Sequence, residues 1–209
     1  MDNAVALVQA YLRVNGYFTV AEYPIVEAAG HRSLTDLDIL AFRFPHAGHH
    51  TSERRGRQTV DAEVFTLDPA LGRPGELADM LVGEVKEGRV RLNEAARHPA
   101  VLRAGLTRFG CCTPEEAPRV VAELGRVGHA NTDAGHEIRL VAFGSIRGEE
   151  PVGYTAISLG HVVAFLQDHL RRHWDVVRHV QTKEPVLGFL LTLEKGLRGL
   201  EGFDAERPG

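Results

Sequence analysis

Cysteine is almost missing from this chain: Cys111 and Cys112 are the only two in 209 residues, and they are adjacent. Neighbouring cysteines rarely bridge each other and no third thiol is present, so a disulfide framework is excluded and a reducing, cytoplasmic setting is expected. The pair reads as two ordinary buried or surface thiols, with a metal-binding or redox-switch pair as the alternative. Long apolar runs are missing too. The longest near the C-terminus, from Pro185 to Leu191, falls far short of the ~20 residues that a membrane-spanning helix needs. No basic segment followed by an apolar core stands near the start, so no export signal is expected. No Gly-rich phosphate loop ends in Lys-Ser or Lys-Thr, which removes the basis for ATP binding. Surplus positive charge is lacking as well. With 24 Lys and Arg against 28 Asp and Glu, the net charge is −4, which argues against coating nucleic acid by bulk charge. A carboxylate site with a local basic face is compatible with that balance.

What is present is an ordinary globular mixture, 44% hydrophobic and 25% charged, in a length suited to one generous domain. Val5, Val8 and Leu12 recur at helical spacing over residues 4–15, with Asp2 or Asn3 as a cap and Gly16 as a stop. Tyr17–Val26 and Leu34–Phe44 are rich in β-branched and aromatic residues and read as strands. Residues 46–78 form a polar insertion with turn signals at Asp68-Pro69 and Arg73-Pro74-Gly75 and a hairpin or short strand near Ala62–Leu67. Met80–Lys86 is a third strand. Helices are expected over Leu92–Phe109 and Pro114–Val127, then a strand over Glu137–Gly144, extended or paired by Tyr154–Ile157. Ser158 caps a helix running to about Val180, and a last helix spans Pro185–Leu200. Helix, three strands, helices, strand, helix is the order of an α/β domain with a mixed sheet, distinct from the strict alternation of a doubly wound dinucleotide fold.

Two of these strands place charge where a core strand should be apolar. Period-2 alternation puts Asp36, Asp38, Leu40 and Phe42 on one face, and Met80, Val82, Glu84 and Lys86 on one face of the other strand. Burying unpaired charge costs several kcal/mol, so these carboxylates call for cations, partners or an open cleft. Carboxylates are the hard oxygen ligands that Mg²⁺ (or Mn²⁺) prefers. A lysine beside them can orient an attacking water or neutralise charge developing on phosphate. The same residues have a plainer reading, as a strand edge with a surface ion pair between Glu84 and Lys86.

The N-terminal helix, the strand carrying Asp38-Ile39-Leu40-Ala41, and the strand Val82-Gly83-Glu84-Val85-Lys86-Glu87-Gly88 together resemble the PD-(D/E)XK nuclease superfamily, which includes restriction endonucleases and archaeal Holliday junction resolvases. The likeness covers roughly residues 1–145. It implies a restriction endonuclease-like mixed sheet flanked by helices, with the C-terminal helices 158–200 as an extension. It further implies Asp38 and Glu84 as metal ligands, Lys86 as the catalytic lysine, Mg²⁺ as cofactor and phosphodiester hydrolysis in DNA as the activity. Three departures bear on it. The interval from Asp38 to Glu84 is long because the 46–78 insertion intervenes, Asp36 and Asp79 are rival ligands, and the N-terminal helix lacks the acidic residue that junction resolvases carry. Glu22 or Glu27 on the first strand is a candidate substitute. On fold analogy a homodimer is expected, with the C-terminal helices as the candidate interface.

Other clusters carry less. His46, His49 and His50 have a spacing that suits Zn²⁺ or Ni²⁺, but they lie in a Gly-containing loop without acidic or thiol partners. His129, Asp133 and His136 in a Gly-rich turn lack an accompanying nucleophile. Arg97, Arg103, Arg108, Arg171, Arg172 and Arg178 are candidate phosphate contacts that read equally as solvated helical faces. The leading expectation is a Mg²⁺-dependent nuclease. The alternative is a non-catalytic interaction protein on the same scaffold.

Overall fold

A computed structural model describes the chain except residues 1, 28–31, 46, 48–50, 56–57, 63–66, 73–76, 147–151, 180–181 and 206–209. The first helix, α1 (Asn3–Val14), begins where the Asp2 carboxylate accepts the Ala4 N–H at 2.8 Å. It ends at Asn15 and at Gly16, which turns left-handed at φ 84°. The strands β1 (Phe18–Glu27) and β2 (Arg32–Arg43) follow, then a separate two-stranded hairpin, β3 (Thr51–Arg55) with β4 (Gln58–Ala62). The hairpin thus lies before the position that turn chemistry suggested, and residues 63–66 of the expected strand fall outside the described residues. So do His46, His49 and His50.

The central strand is β5 (Ala78–Arg89), buried continuously from Ala78 to Val85 before it emerges into solvent. Two helices follow, α2 (Pro99–Arg108) and α3 (Ala117–Val127). Both start later than their apolar periodicity implies. Pro99 stands in the first turn of α2 with the His98 ring accepting the Ala100 N–H at 3.3 Å, so Leu92 to Arg97 stay outside the helix. Then come β6 (His129–Asn131), β7 (His136–Ile146), β8 (Thr155–Ser158), α4 (Leu159–Arg172), the short α5 (Trp174–Val177) and α6 (Pro185–Ala205). The long helix expected to reach Val180 is therefore divided at His173.

The six-stranded sheet has the order β1-β2-β5-β7-β6, with β8 also paired to β7. Neighbours β1–β2 and β2–β5 are antiparallel, whereas β5–β7 is parallel, from Ala78 opposite His136 to Lys86 opposite Gly144. A parallel pair needs a long crossover, and α2 and α3 supply it. The fold is therefore α/β with a mixed sheet between helices, as the element order implied. One apolar cluster joins α1, α4 and α6 to Ile39, Ala41, Leu81, Val85, Val141 and Phe143. The other joins α2 and α3 to Leu37, Leu40, Met80, Val82, Ile138 and Leu140.

Simple alternation along β2 does not hold. Leu37 and Leu40 belong to one cluster, while Ile39 and Ala41 belong to the other. A three-residue step between side chains on the same face means that the alternation slips between them, at Asp38 and Ile39. The expectation that Asp36, Asp38, Leu40 and Phe42 line one uninterrupted face is corrected by this slip. The neighbouring strand slips at the same level. Ala21 packs with the α1 cluster and Tyr23 and Ile25 with the α2 cluster, and the residue between, Glu22, has φ 52°. In the β1–β2 register Glu22 falls between the pairs Ala21–Ile39 and Tyr23–Leu37, beside Asp38.

Candidate functional site

The β2–β5 ladder runs from Arg43 opposite Asp79 to Ile39 opposite Gly83. One step further the strands part, and there Asp38 and Glu84 stand. Parting strands would leave backbone groups of a buried strand without partners, at a cost comparable to a lost hydrogen bond. Asp38 meets this locally: its Oδ2 accepts the Val85 N–H at 2.8 Å. The side chain thus replaces the missing strand partner. A carboxylate has lone pairs on both oxygens, so one such bond leaves acceptor capacity for another group.

Glu84 is only 2% exposed. Its Oε1 lies 2.5 Å from the Lys86 Nζ, and the lysine side chain is 38% exposed. The two-residue spacing on one strand does what alternation implies and brings carboxylate and ammonium together. The lysine is held where β5 leaves the core. The β5–β7 register shifts between Lys86 and Arg89, and Val90 donates its N–H to the Ile146 carbonyl at 2.9 Å. Gly144, opposite Lys86, makes room for this return. A Cβ there would stand 2.8 Å from the Val90 nitrogen and 3.0 Å from the Gly88 oxygen, so only glycine lets the backbones approach.

Both carboxyls are held above their ordinary range. For Asp38 burial is the largest cause, opposed by the Val85 N–H and Lys86 and reinforced by the charges of Asp2 and Asp36. For Glu84 burial again leads, opposed by the Lys86 hydrogen bond and reinforced by Asp38. Each negative charge therefore disfavours another nearby, the condition that a bound cation relieves. Among the described residues no group of three or more His, Cys, Asp or Glu is placed to hold a metal ion. Two carboxylates nevertheless suit Mg²⁺, which keeps several waters and takes one or two protein carboxylates plus substrate phosphate.

The rival acidic residues are placed differently. Asp36 is exposed on β2 and reaches the site only through its charge on Asp38. Asp79 is buried toward the far end of β5, five residues and so roughly 17 Å from Glu84. Its two oxygens accept from Arg139 Nε at 2.9 Å and Nη2 at 2.6 Å, and the Tyr17 hydroxyl donates to it as well. Asp79 is thus an internal ion-pair partner. Glu22 is exposed, and its Oε1 accepts the Asp2 N–H at 3.0 Å.

Of the lesser candidates, Asp133 is bound by Arg119 at 2.9 Å, and His136 Nδ1 lies 3.4 Å from the Cys111 carbonyl. Asp133 and His136 are thus occupied with different partners. Arg97 donates to the Gly125 carbonyl, Arg108 to the Tyr23 hydroxyl, and Arg103 is exposed. Arg171, Arg172 and Arg178 pair with Glu194, Asp168 and Asp175. Cys111 and Cys112 are buried and free, and burial pushes the Cys111 thiol up to about 12. A thiol so shifted is neutral at pH 7 and a poor nucleophile.

One cluster escaped the sequence reading. Buried Asp68 caps the 3-10 turn Pro69–Leu71, and its Oδ2 accepts the Tyr11 hydroxyl at 2.7 Å and lies 2.6 Å from His161 Nε2. Asp68-Pro69 gave only a turn signal, because Tyr11 and His161 are distant in sequence. Comparison with protein-family models, with curated proteins and with solved structures gives no significant match.

Proposed function

We propose that this chain is a Mg²⁺-dependent phosphodiester hydrolase of the PD-(D/E)XK kind acting on DNA, with Asp38, Glu84 and Lys86 at its centre. The supporting observation is a junction where β2 and β5 part, carrying two carboxyls raised by burial and by neighbouring negative charge, with an ammonium at 2.5 Å from one of them. The parallel β5–β7 pairing beside an antiparallel β1-β2-β5 meander agrees with the resemblance. Asp38, fixed by Val85, and Glu84, fixed by its strand, would hold the cation. Bound there, the ion would lower the pKa of a water and stabilise charge on the phosphate oxygens. Lys86, tethered at one end and half-exposed, is the group available to orient that water and to donate toward the developing charge.

The test is cleavage of plasmid and single-stranded DNA in Mg²⁺ or Mn²⁺ by the full chain, beside Glu84→Ala and Lys86→Ala. Metal-dependent cutting that disappears in both variants, with far-UV circular dichroism unchanged, supports the assignment. Cutting that persists in both removes it. The second reading, a binding protein that keeps the scaffold without cutting, is favoured by one observation: Lys86 already occupies Glu84, and no third ligand joins the pair among the described residues. DNA retention without cleavage, insensitive to both variants, is its signature.

A further inference from the structure

Two histidines bracket the last turn of α4. His169 and His173 are four residues apart, a spacing that stacks side chains on one helical face, and their ring centroids lie 4.8 Å apart. Both line a cavity of about 270 Å³ walled by Leu67, Pro69 and Phe165. We propose that His169 and His173 form a two-histidine site for a late first-row transition-metal dication, with Zn²⁺ as the reference ion.

The geometry suits a chelate. With metal–nitrogen bonds of about 2.0–2.1 Å and a near-tetrahedral angle, two ligating imidazole centroids stand roughly 5 Å apart, close to the separation present. The backbone beneath is already fixed. The His173 N–H donates to the His169 carbonyl at 3.1 Å, and the His173 carbonyl accepts from Val176 and Val177. Little ordering is therefore left for binding to impose. The position at the C-terminal turn of a 14-residue helix favours a cation, because the negative end of the macrodipole lies there. The other charges in the cavity, Asp168 and Arg172, neutralise each other in an ion pair at 2.7 Å.

The chemistry selects the class of ion. Imidazole nitrogen is a borderline ligand suited to Zn²⁺, Cu²⁺ and Ni²⁺ and poorly suited to Mg²⁺. Only the neutral ring can bind, so affinity should fall as the solution is acidified. Water fills the remaining positions, since no third His, Cys, Asp or Glu joins the pair among the described residues. The site lies on α4 and shares no residue with Asp38, Glu84 and Lys86, so it stands or falls independently of the hydrolase reading.

The experiment is calorimetric titration of Zn²⁺ into the full chain, with the histidine ring ¹⁵N signals followed by NMR. The chain has 11 histidines, so the variant His46→Gln/His49→Gln/His50→Gln serves as background. One Zn²⁺ per chain should bind in that background, moving two ring systems together. Binding should weaken at least about tenfold when His173→Gln or His169→Gln is added, because a chelate loses one of its two protein donors. His173 is half-exposed, so its variant keeps the test valid even if His169→Gln fails to fold. No Zn²⁺ binding in the background, or binding unchanged by His173→Gln, overturns the proposal.

Discussion

Asp38 Oδ2 accepts the Val85 amide hydrogen at 2.8 Å, one step beyond the last β2–β5 backbone pair. A single carboxylate therefore closes the open end of a sheet ladder and faces the charge of Lys86. The structural and chemical roles of Asp38 are separable by substitution.

Asp38→Ala removes the acceptor and leaves the Val85 N–H without it, which should cost about 1–3 kcal/mol. Asp38→Asn keeps an oxygen that can accept the same N–H and removes a carboxyl that burial holds above its ordinary range, so it should be clearly more stable than Asp38→Ala. Both variants lose the negative charge, and both should lose Mg²⁺ affinity if the proposed function holds. Urea denaturation and calorimetry on the same samples separate the effects. Equal destabilisation by Asn and Ala would show that the hydrogen bond contributes nothing.

Glu84 gives a pH dependence of defined sign. Burial, partly offset by Lys86, holds its carboxyl above the ordinary range. A carboxyl with a raised folded pKa contributes stability that is complete below its unfolded pKa and is lost as pH rises through the folded value. Glu84→Gln cannot ionise. Without divalent metal its melting temperature should match wild type near pH 4 and exceed it at pH 8. Saturating Mg²⁺ should reverse the order at pH 8, because only the wild type gains from binding. A Glu84→Gln variant less stable than wild type at pH 8 without metal would mean that the Lys86 pair outweighs burial.

Much of this arrangement was legible in the sequence. Glu84 and Lys86 lie two apart on a strand, and that spacing alone places them together. The order of elements gave the mixed α/β sheet for the same reason: apolar periodicity reports local geometry directly. Asp38 was legible as a charge on a core strand, but its hydrogen bond to Val85 was not. That bond depends on a slip in alternation shared with Glu22, a backbone event without a residue signature. The start of α2 was missed where Pro99 overrides apolar spacing, whereas Thr113, expected to cap the next helix, accepts the Glu116 N–H at 3.2 Å in a turn just before α3 begins. The fate of Asp79 was missed because its partners, Tyr17 before β1 and Arg139 on β7, are distant in sequence and only folding joins them.

Asp79, Arg139 and Tyr17 supply the last prediction. The carboxylate is fully buried and meets the guanidinium through two bonds, with the tyrosine hydroxyl as a third donor. Burial and the adjacent Asp79 charge hold the Tyr17 phenol above its ordinary range, which favours the neutral form that donates. Removing one partner of a buried pair strands the other charge, at a cost of about 3–5 kcal/mol. Arg139→Leu should therefore be strongly destabilising, and Tyr17→Phe should cost about 1.5–3 kcal/mol, as for a hydrogen bond to a charged group. Arg139→Leu combined with Asp79→Leu should cost much less than the sum of the single changes, because no orphan charge remains. Because Asp79 lies roughly 17 Å along the strand from Glu84, Mg²⁺ affinity of the folded Tyr17→Phe variant should equal that of wild type. A Tyr17→Phe variant with weakened Mg²⁺ binding and unchanged stability would return Asp79 to the set of metal ligands. Chemical denaturation of the four variants with matched calorimetry decides between these outcomes.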